Sequence, residues 1–387
     1  MTSTIKADVV TAQTTNGDVT LQGNGTGGVT IQGQDYPTAG GLWSGRNMAI
    51  NGAMQVAQRG ASFTGVTGSG TYGVDRYLFH LASFGTWTVT QSTDVPTGQG
   101  FLKSLKLDCT TAQGSPGSTA YLRIDHRLVG QDLIRLKKGT ANAEKFTISF
   151  WVKSTKTGTY VMEIDDDDNN RCICQTYTVS SADTWEKKSL TFVGDTSNAL
   201  DNDANRSWTI EWWIGSGSAY QGGTLQTTWG TKVNANRTEG ISVNLADSTS
   251  NDFLLAGVMF ECGEVATPFE FEPYTETLQK CQRFYTSQGA GVIGYWNGGT
   301  NMEVPFQFFP PMRATPTVTI GNSTPSISNK SNSSTGTQSG VAIVNSSGTA
   351  NGFYFVQINN CDTSTSPSAG HIGQFRTDNF MNFSAEL

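Results

Sequence analysis

The sequence predicts an all-β protein, and three observations carry that expectation. Glycine is abundant, at 44 of 387 residues, while charged residues make up only 15% of the chain, below the roughly 25% of an ordinary globular protein. Period-two runs of apolar residues recur through most of the length. The chain also holds 20 Phe, 11 Tyr and 9 Trp, more aromatic material than a solvated, disordered chain carries. The expected order is a short N-terminal β-repeat segment, a jelly-roll β-sandwich, a short connecting helix and a smaller C-terminal β-sandwich.

Residues 1–45 contain a repeat: Val19-Thr-Leu-Gln-Gly23 returns ten positions later as Val29-Thr-Ile-Gln-Gly33. Each copy reads as a strand with one narrow apolar face, too narrow for a core of its own. Two readings stand: a stacked, trimeric fibre shaft or a flexible Gly/Thr leader. Gly23-Asn-Gly25-Thr-Gly-Gly28 matches the dinucleotide fingerprint only formally, because a second strand follows where the fingerprint needs a helix.

Residues 46–272 alternate as a β-sandwich does. Phe146, Ile148, Phe150 and Val152 interleave with Thr147, Ser149, Trp151 and Lys153, and Trp208, Ile210, Trp212 and Ile214 share a strand face. Trp151, Trp208 and Trp212 are all assigned to the core. The stretch from Phe253 to Phe260 is apolar on both faces, as a central strand covered on both sides would be. In residues 273–288, Tyr274, Leu278, Cys281 and Tyr285 form the seam of an amphipathic helix, with Pro273 at its start and Gly289 beyond its end. That seam is short, yet three copies around an axis would bury it. Residues 289–387 hold the second sandwich, marked by Val318 with Ile320, Val341 with Ile343, and Phe353 with Phe355. Its charge is nearly balanced, with Arg313, Lys330 and Arg376 against Glu303, Asp362, Asp378 and Glu386.

The formal charge of −7 disfavours nucleic acid and anionic membrane as partners. No apolar run approaches the roughly 20 residues of a membrane-spanning helix, and Met1-Thr-Ser-Thr-Ile-Lys lacks a signal region, so synthesis and assembly in the cytoplasm are expected. The six cysteines, at 109, 172, 174, 262, 281 and 361, are then expected to be reduced thiols.

Several segments together resemble bacteriophage tail-fibre proteins. They are Asn47-Met-Ala-Ile-Asn-Gly-Ala-Met-Gln-Val-Ala-Gln-Arg-Gly60, Tyr72-Gly-Val-Asp-Arg-Tyr77, the run from Leu255 to Glu270, and Cys281-Gln-Arg-Phe-Tyr285. Residues 310–319 and the final Ala385-Glu-Leu387 add to the likeness. Tyr77 stands where that family often has Trp, and Met259-Phe-Glu-Cys-Gly263 where it often has Gln-Leu-Glu-Val-Gly. The resemblance implies a jelly roll like those of carbohydrate-binding modules, a helix, a variable C-terminal domain and a place on the tail of a virion. It also implies a homotrimer that docks on other tail proteins through its N-terminal segment and binds a host-surface glycan. A polysaccharide-degrading spike and a head-decorating fibre are the alternatives.

No catalytic residue, metal or cofactor is expected. The chain has three histidines, His80, His126 and His371, and neither HExxH nor GxSxG. Asp125, Glu163, Glu211 and Glu261 are the carboxylates a glycosidase would draw on, and they read as exposed strand-end or loop groups. The run Asp165-Asp-Asp-Asp-Asn-Asn170 fails the EF-hand pattern, because Arg171 stands where the turn glycine belongs. It reads as a solvated hairpin tip, with calcium binding as the alternative. Sugar recognition needs flat aromatic faces beside amides and hydroxyls. Tyr295, Trp296, Asn297, Asn301 and His371 in the C-terminal domain supply that combination; the other reading of Trp296 is a cap on the sandwich or packing at a trimer axis.

Overall fold

A computed structural model describes residues 45–288 and, beyond them, 29–31, 34–36, 292–298, 301–320, 326–329, 334–337, 342–348, 353–359, 372–376 and 381–387. The second repeat copy is a strand, β1 (Val29–Ile31), paired antiparallel with β2 (Gln34–Tyr36). The first copy lies outside the described residues.

The body contains β3 (Ser62–Gly68), β4 (Thr71–Val74), β5 (Tyr77–Ser92), β6 (Ser104–Thr111), β7 (Tyr121–Val129) and β8 (Phe146–Ser154). It continues with β9 (Gly158–Asp166), β10 (Arg171–Val179), β11 (Glu186–Phe192), β12 (Arg206–Ser216), β13 (Gly230–Thr231) and β14 (Asp252–Cys262). These twelve strands form one antiparallel sheet that doubles over at β5. Residues 77–82 of β5 pair with β7, whereas residues 86–92 pair with β6. The corner falls at Ser83 (φ 54°) and Gly85 (φ 77°). A Cβ on Gly85 would lie 2.3 Å from the Thr111 carbonyl oxygen, so only glycine turns this corner. One layer is β11-β8-β14-β6 with the end of β5; the other is the start of β5 with β7-β12-β9-β10-β13.

Between the layers lies the core that the alternation foretold. Phe146, Ile148, Phe150 and Val152 are fully buried, with Trp87, Trp208, Trp212, Ile210 and Ile214 against them. β14 pairs with β6 on one side and β8 on the other, so its two-faced apolar sequence does mark a central strand. Trp151 departs from expectation. It alternates out of phase with Phe150 and Val152, which places its half-buried ring on the outer face of the sheet.

The helix α1 covers Tyr274–Gln282 only. The expected seam is cut: Thr277 and Cys281 are buried, Tyr274 is exposed, and Tyr285 opens the strand β15 (Tyr285–Gln288). The cause is local, because the Tyr285 strand pairs with the last strand of the chain rather than extending the helix. The C-terminal sandwich then runs through β16 (Val292–Gly298), β17 (Asn301–Gln307), β18 (Thr317–Ile320), β19 (Ser326–Asn329) and β20 (Ser334–Thr337). It closes with β21 (Ala342–Gly348), β22 (Phe353–Asn359), β23 (Ile372–Arg376) and β24 (Met381–Ser384). A three-stranded sheet, β15-β24-β18, accompanies a seven-stranded one, β20-β19-β23-β16-β17-β22-β21. Met302, Val304, Phe306, Phe308, Val356 and Phe383 fill its core.

The two sandwiches meet at a cationic clamp. Arg59 and Arg76 of the body both pair with the Glu386 carboxylate, and the Arg76 guanidinium lies 3.5 Å from the centre of the Phe284 ring. Arg313 reaches both ways, donating to the Glu386 carbonyl at 2.8 Å and to the Ala204 carbonyl at 2.7 Å. Asp75 in this seam has its carboxyl pushed up to about 6 by burial, against the pull of Arg59. Among the described residues no helix is long and apolar enough to cross a membrane.

Candidate functional site

Three of the four candidate carboxylates come together. The register of β7, β12 and β9 sets Asp125 opposite Glu211, and Glu211 opposite Glu163, so they form one row on the outer face of the second layer. They are 1%, 1% and 0% exposed, which overturns the expectation of exposed strand-end groups. The alternation does turn them away from the core, but residues 217–242 cross over this face. Leu225 and Ile241 of that crossover pack on Val161 and Trp213, and the Tyr220 ring lies 5.2 Å from that of Trp213.

Burying three carboxylates demands partners, and each of the six oxygens has one. Arg237 descends from the crossover; its Nε lies 2.9 Å from both Glu163 oxygens and its Nη2 2.9 Å from Glu211 Oε2. Trp213 Nε1 donates to Glu163 Oε2 at 2.9 Å. Arg123 takes Asp125 Oδ1 at 2.8 Å and Glu211 Oε1 at 3.2 Å, and His80 Nδ1 lies 2.7 Å from Asp125 Oδ2. Burial pushes the Asp125 carboxyl up, but Arg123 and His80 outweigh it and hold it well below the ordinary aspartate value. Burial wins at Glu163, which is raised despite Arg237. Glu261, on the other layer, is 2% exposed and accepts from Thr267 N at 2.9 Å and Thr267 Oγ1 at 2.6 Å.

The acidic run is a hairpin turn between β9 and β10, as expected, but its first two aspartates are buried rather than solvated. Asp165 accepts from Lys232 Nζ at 2.8 Å on both oxygens, and the fully buried Asp166 pairs with Lys138 at 2.8 Å. Asp167 pairs with Arg206 at 2.6 Å, and Asp168 accepts from Asp201 N at 3.0 Å. The charge density that looked like a solvent signal is matched by cations from distant parts of the chain. Asp165, Asp166 and Asp167 each spend both oxygens on protein donors, unlike the open carboxylates that calcium takes.

The ligand atoms of Glu163, Cys172 and Cys174 lie within 4.8 Å of one another and all three residues are buried. The set does not suit a metal ion, because both Glu163 oxygens are bound by Arg237, whose guanidinium charge would face the ion. The five described cysteines are free thiols; Cys361 lies outside the described residues. A cavity of about 330 Å³ opens between the body and α1, lined by Met48, Ile50, Asp132, Arg135, Lys280 and Arg283. Two of its cations are already paired, Lys280 with Glu272 and Arg283 with Asp132.

Of the candidate sugar-binding residues, Tyr295 is placed fully. It sits in β16 between Glu303 of β17 and Ile372 of β23. The residue is 40% exposed and its hydroxyl donates to Glu303 Oε2. In the same hairpin Trp296 pairs with Met302, and Gly298 with Asn301. The side chains of Trp296, Asn297 and Asn301, and His371 as a whole, lie outside the described residues.

Neither a family model nor a curated protein matches this sequence. Among solved structures the chain is similar to the enzymatically active domain of tailspike protein 4 of bacteriophage CBA120, at 13% identity and a TM-score of 0.33. That match covers 56% of this chain but only 22% of the tailspike chain. It is also similar to the family 11 carbohydrate-binding module of a cellulosomal cellulase from Clostridium thermocellum, at 12% identity and a TM-score of 0.26 over 52% of this chain and 98% of the module. A tandem pair of CBM22 domains from Paenibacillus barcinonensis matches at 11% identity and a TM-score of 0.25, over 86% of this chain and all of that one.

Proposed function

We propose that the chain is a non-catalytic, glycan-binding fibre protein of a phage particle that works as a homotrimer. The observation that carries this reading is Tyr295. Its aromatic ring is held half-open on the C-terminal sandwich by a hydroxyl bond to Glu303, and a fixed, exposed ring is what a pyranose face stacks on. The near-neutral charge of the surrounding domain suits a neutral sugar. The sequence segments that resemble tail fibres support the virion role.

The saturated carboxylates support binding rather than cleavage. A glycosidase needs one carboxyl free to protonate the leaving oxygen and another free to attack or to activate water. Asp125, Glu163, Glu211 and Glu261 all spend their oxygens on protein donors beneath covering segments. Three weak sites on one trimer would gain avidity from their linkage.

The test is adsorption. Purified full-length protein should compete with phage particles for the host surface, and Tyr295→Ala should lose about tenfold or more of that competition, the scale of an aromatic hot spot. Light scattering should give three chain masses. Monomers at micromolar concentration would remove the trimer, and release of reducing ends from surface polysaccharide would favour the spike reading instead.

A further inference from the structure

The outer face of the first layer is left partly open. On β8, Trp151 and Lys153 point away from the core residues Phe150 and Val152. Trp185 stands immediately before β11 and reaches the same side. Its indole N–H donates to Asp94 Oδ1 at 2.9 Å, while Lys153 Nζ donates to Asp94 Oδ2 at 2.7 Å. Lys187 pairs with Trp151, so Trp185, two residues earlier, lies diagonally across from Trp151, a separation of roughly 7–8 Å in an antiparallel pair.

Both rings are half-buried, unlike Trp87, Trp208, Trp212 and Trp213, which are at most 1% exposed. Asp94 is drawn up by burial, but the bonds from Lys153 and Trp185 outweigh this and keep it below the ordinary aspartate value, hence ionised. The carboxylate fixes Lys153 and Trp185 before any ligand arrives, which lowers the ordering cost of binding.

We propose that Trp151, Trp185 and Asp94 form a second glycan site, on the body of the fibre, for a polysaccharide segment with neutral pyranose rings. The indole faces would take the C–H faces of the sugar, and vicinal hydroxyls would donate to Asp94. Lys153 and the exposed Lys187 would donate to ring and hydroxyl oxygens. An apolar protein anchor is disfavoured here, because it would strip water from the Asp94–Lys153 pair at the centre of the patch. A nucleic acid would meet that same carboxylate. This inference rests on the glycan reading above and places a separate contact on the other sandwich.

The experiment is a printed glycan array probed with the full-length chain, followed by titration of each retained glycan against Trp151→Ala, Trp185→Ala, Asp94→Asn and the separate Tyr295→Ala. Thermal unfolding of each variant checks folding, and Trp151→Tyr keeps a ring where the alanine change destabilises. The expected result is a loss of about tenfold or more in affinity for at least one glycan in Trp151→Ala and Asp94→Asn, with Trp151→Tyr largely retained. Glycans bound equally by the three body variants but lost by Tyr295→Ala would overturn the second site and leave the glycan reading standing. An array with no retained glycan would overturn both.

Discussion

The two outer faces of the jelly roll come from strands with the same alternation and meet opposite fates. On the second layer, Asp125, Glu211 and Glu163 face outward and are then roofed by residues 217–242, with Arg237 and Lys232 supplied by the roof itself. On the first layer, residues 264–272 cover only part of the face. Thr267 bonds to the buried Glu261, but Trp151 and Trp185 stay half-open. The contrast separates two uses of polar residues in a sandwich. A covered face must satisfy every charge it buries, and the result is fixed and inert; an uncovered face keeps aromatic and polar atoms available to a ligand.

The largest expected effect lies in the covered face. Arg237→Ala leaves Glu163 and Glu211 buried without their principal cation, and breaking such a network by removing one partner costs about 3–5 kcal/mol. Urea unfolding at pH 7 should show this as a fall in midpoint with an unchanged slope. A variant losing under about 1 kcal/mol, the scale of an exposed pair, would mean that the roof is open to water.

A matched pair of tryptophans sharpens the comparison. Trp213 is fully buried beneath the roof and bonds to Glu163, so Trp213→Ala should cost about 3–5 kcal/mol. Trp151→Ala on the open face should cost about 1 kcal/mol or less while removing glycan affinity. Equal destabilisation by the two would place Trp151 in the core after all.

Acidity gives a smaller effect with a defined sign. Burial and the neighbouring Asp165 raise the Asp167 carboxyl to about 6, against the pull of Arg206. Between its ordinary value near 3.8 and 6, the folded chain holds a proton that the unfolded chain has released. Stability should therefore rise as pH falls through that window and decline as pH climbs back, by at most about 1.4 kcal/mol per pH unit for one group. Asp75 acts in the same direction in the seam between the sandwiches. Melting temperatures from pH 4 to 7 should trace this slope, and Asp167→Asn should flatten part of it; a slope identical in the variant would assign the effect elsewhere.

Much of the fold was legible because burial leaves a local trace in period two. Phe146 to Val152 and the two-faced run from Phe253 to Phe260 needed no distant information. What crosses over a strand's outer face leaves no such trace. Nothing around Asp125, Glu163 or Glu211 announces that Arg237 will descend on two of them, so they read as exposed. Asp165 and Asp166 read as solvated for the same reason, their cations being Lys232 and Lys138. Trp151 was misplaced on residue type, although its own parity, opposite to Phe150, already set it on the outer face. The helix seam overran because Tyr285 continued the helical spacing while its backbone pairs with Ser384 at the far end of the chain. Of the candidate site, the sequence named Tyr295 as one member of a polar, aromatic segment without its place in a strand, whereas Trp185 and Asp94 depend on a bond across 91 positions.

The central claim is that the chain holds a glycan without cutting it. The most direct measurement incubates the full-length protein with a polysaccharide retained on the array and follows two quantities together: polysaccharide co-sedimenting with the protein, and reducing ends released into solution. Retention of the polymer at unchanged length with no rise in reducing ends is the predicted result. Shortening of the polymer, lost on substitution of Asp125, Glu163, Glu211 or Glu261, would contradict it.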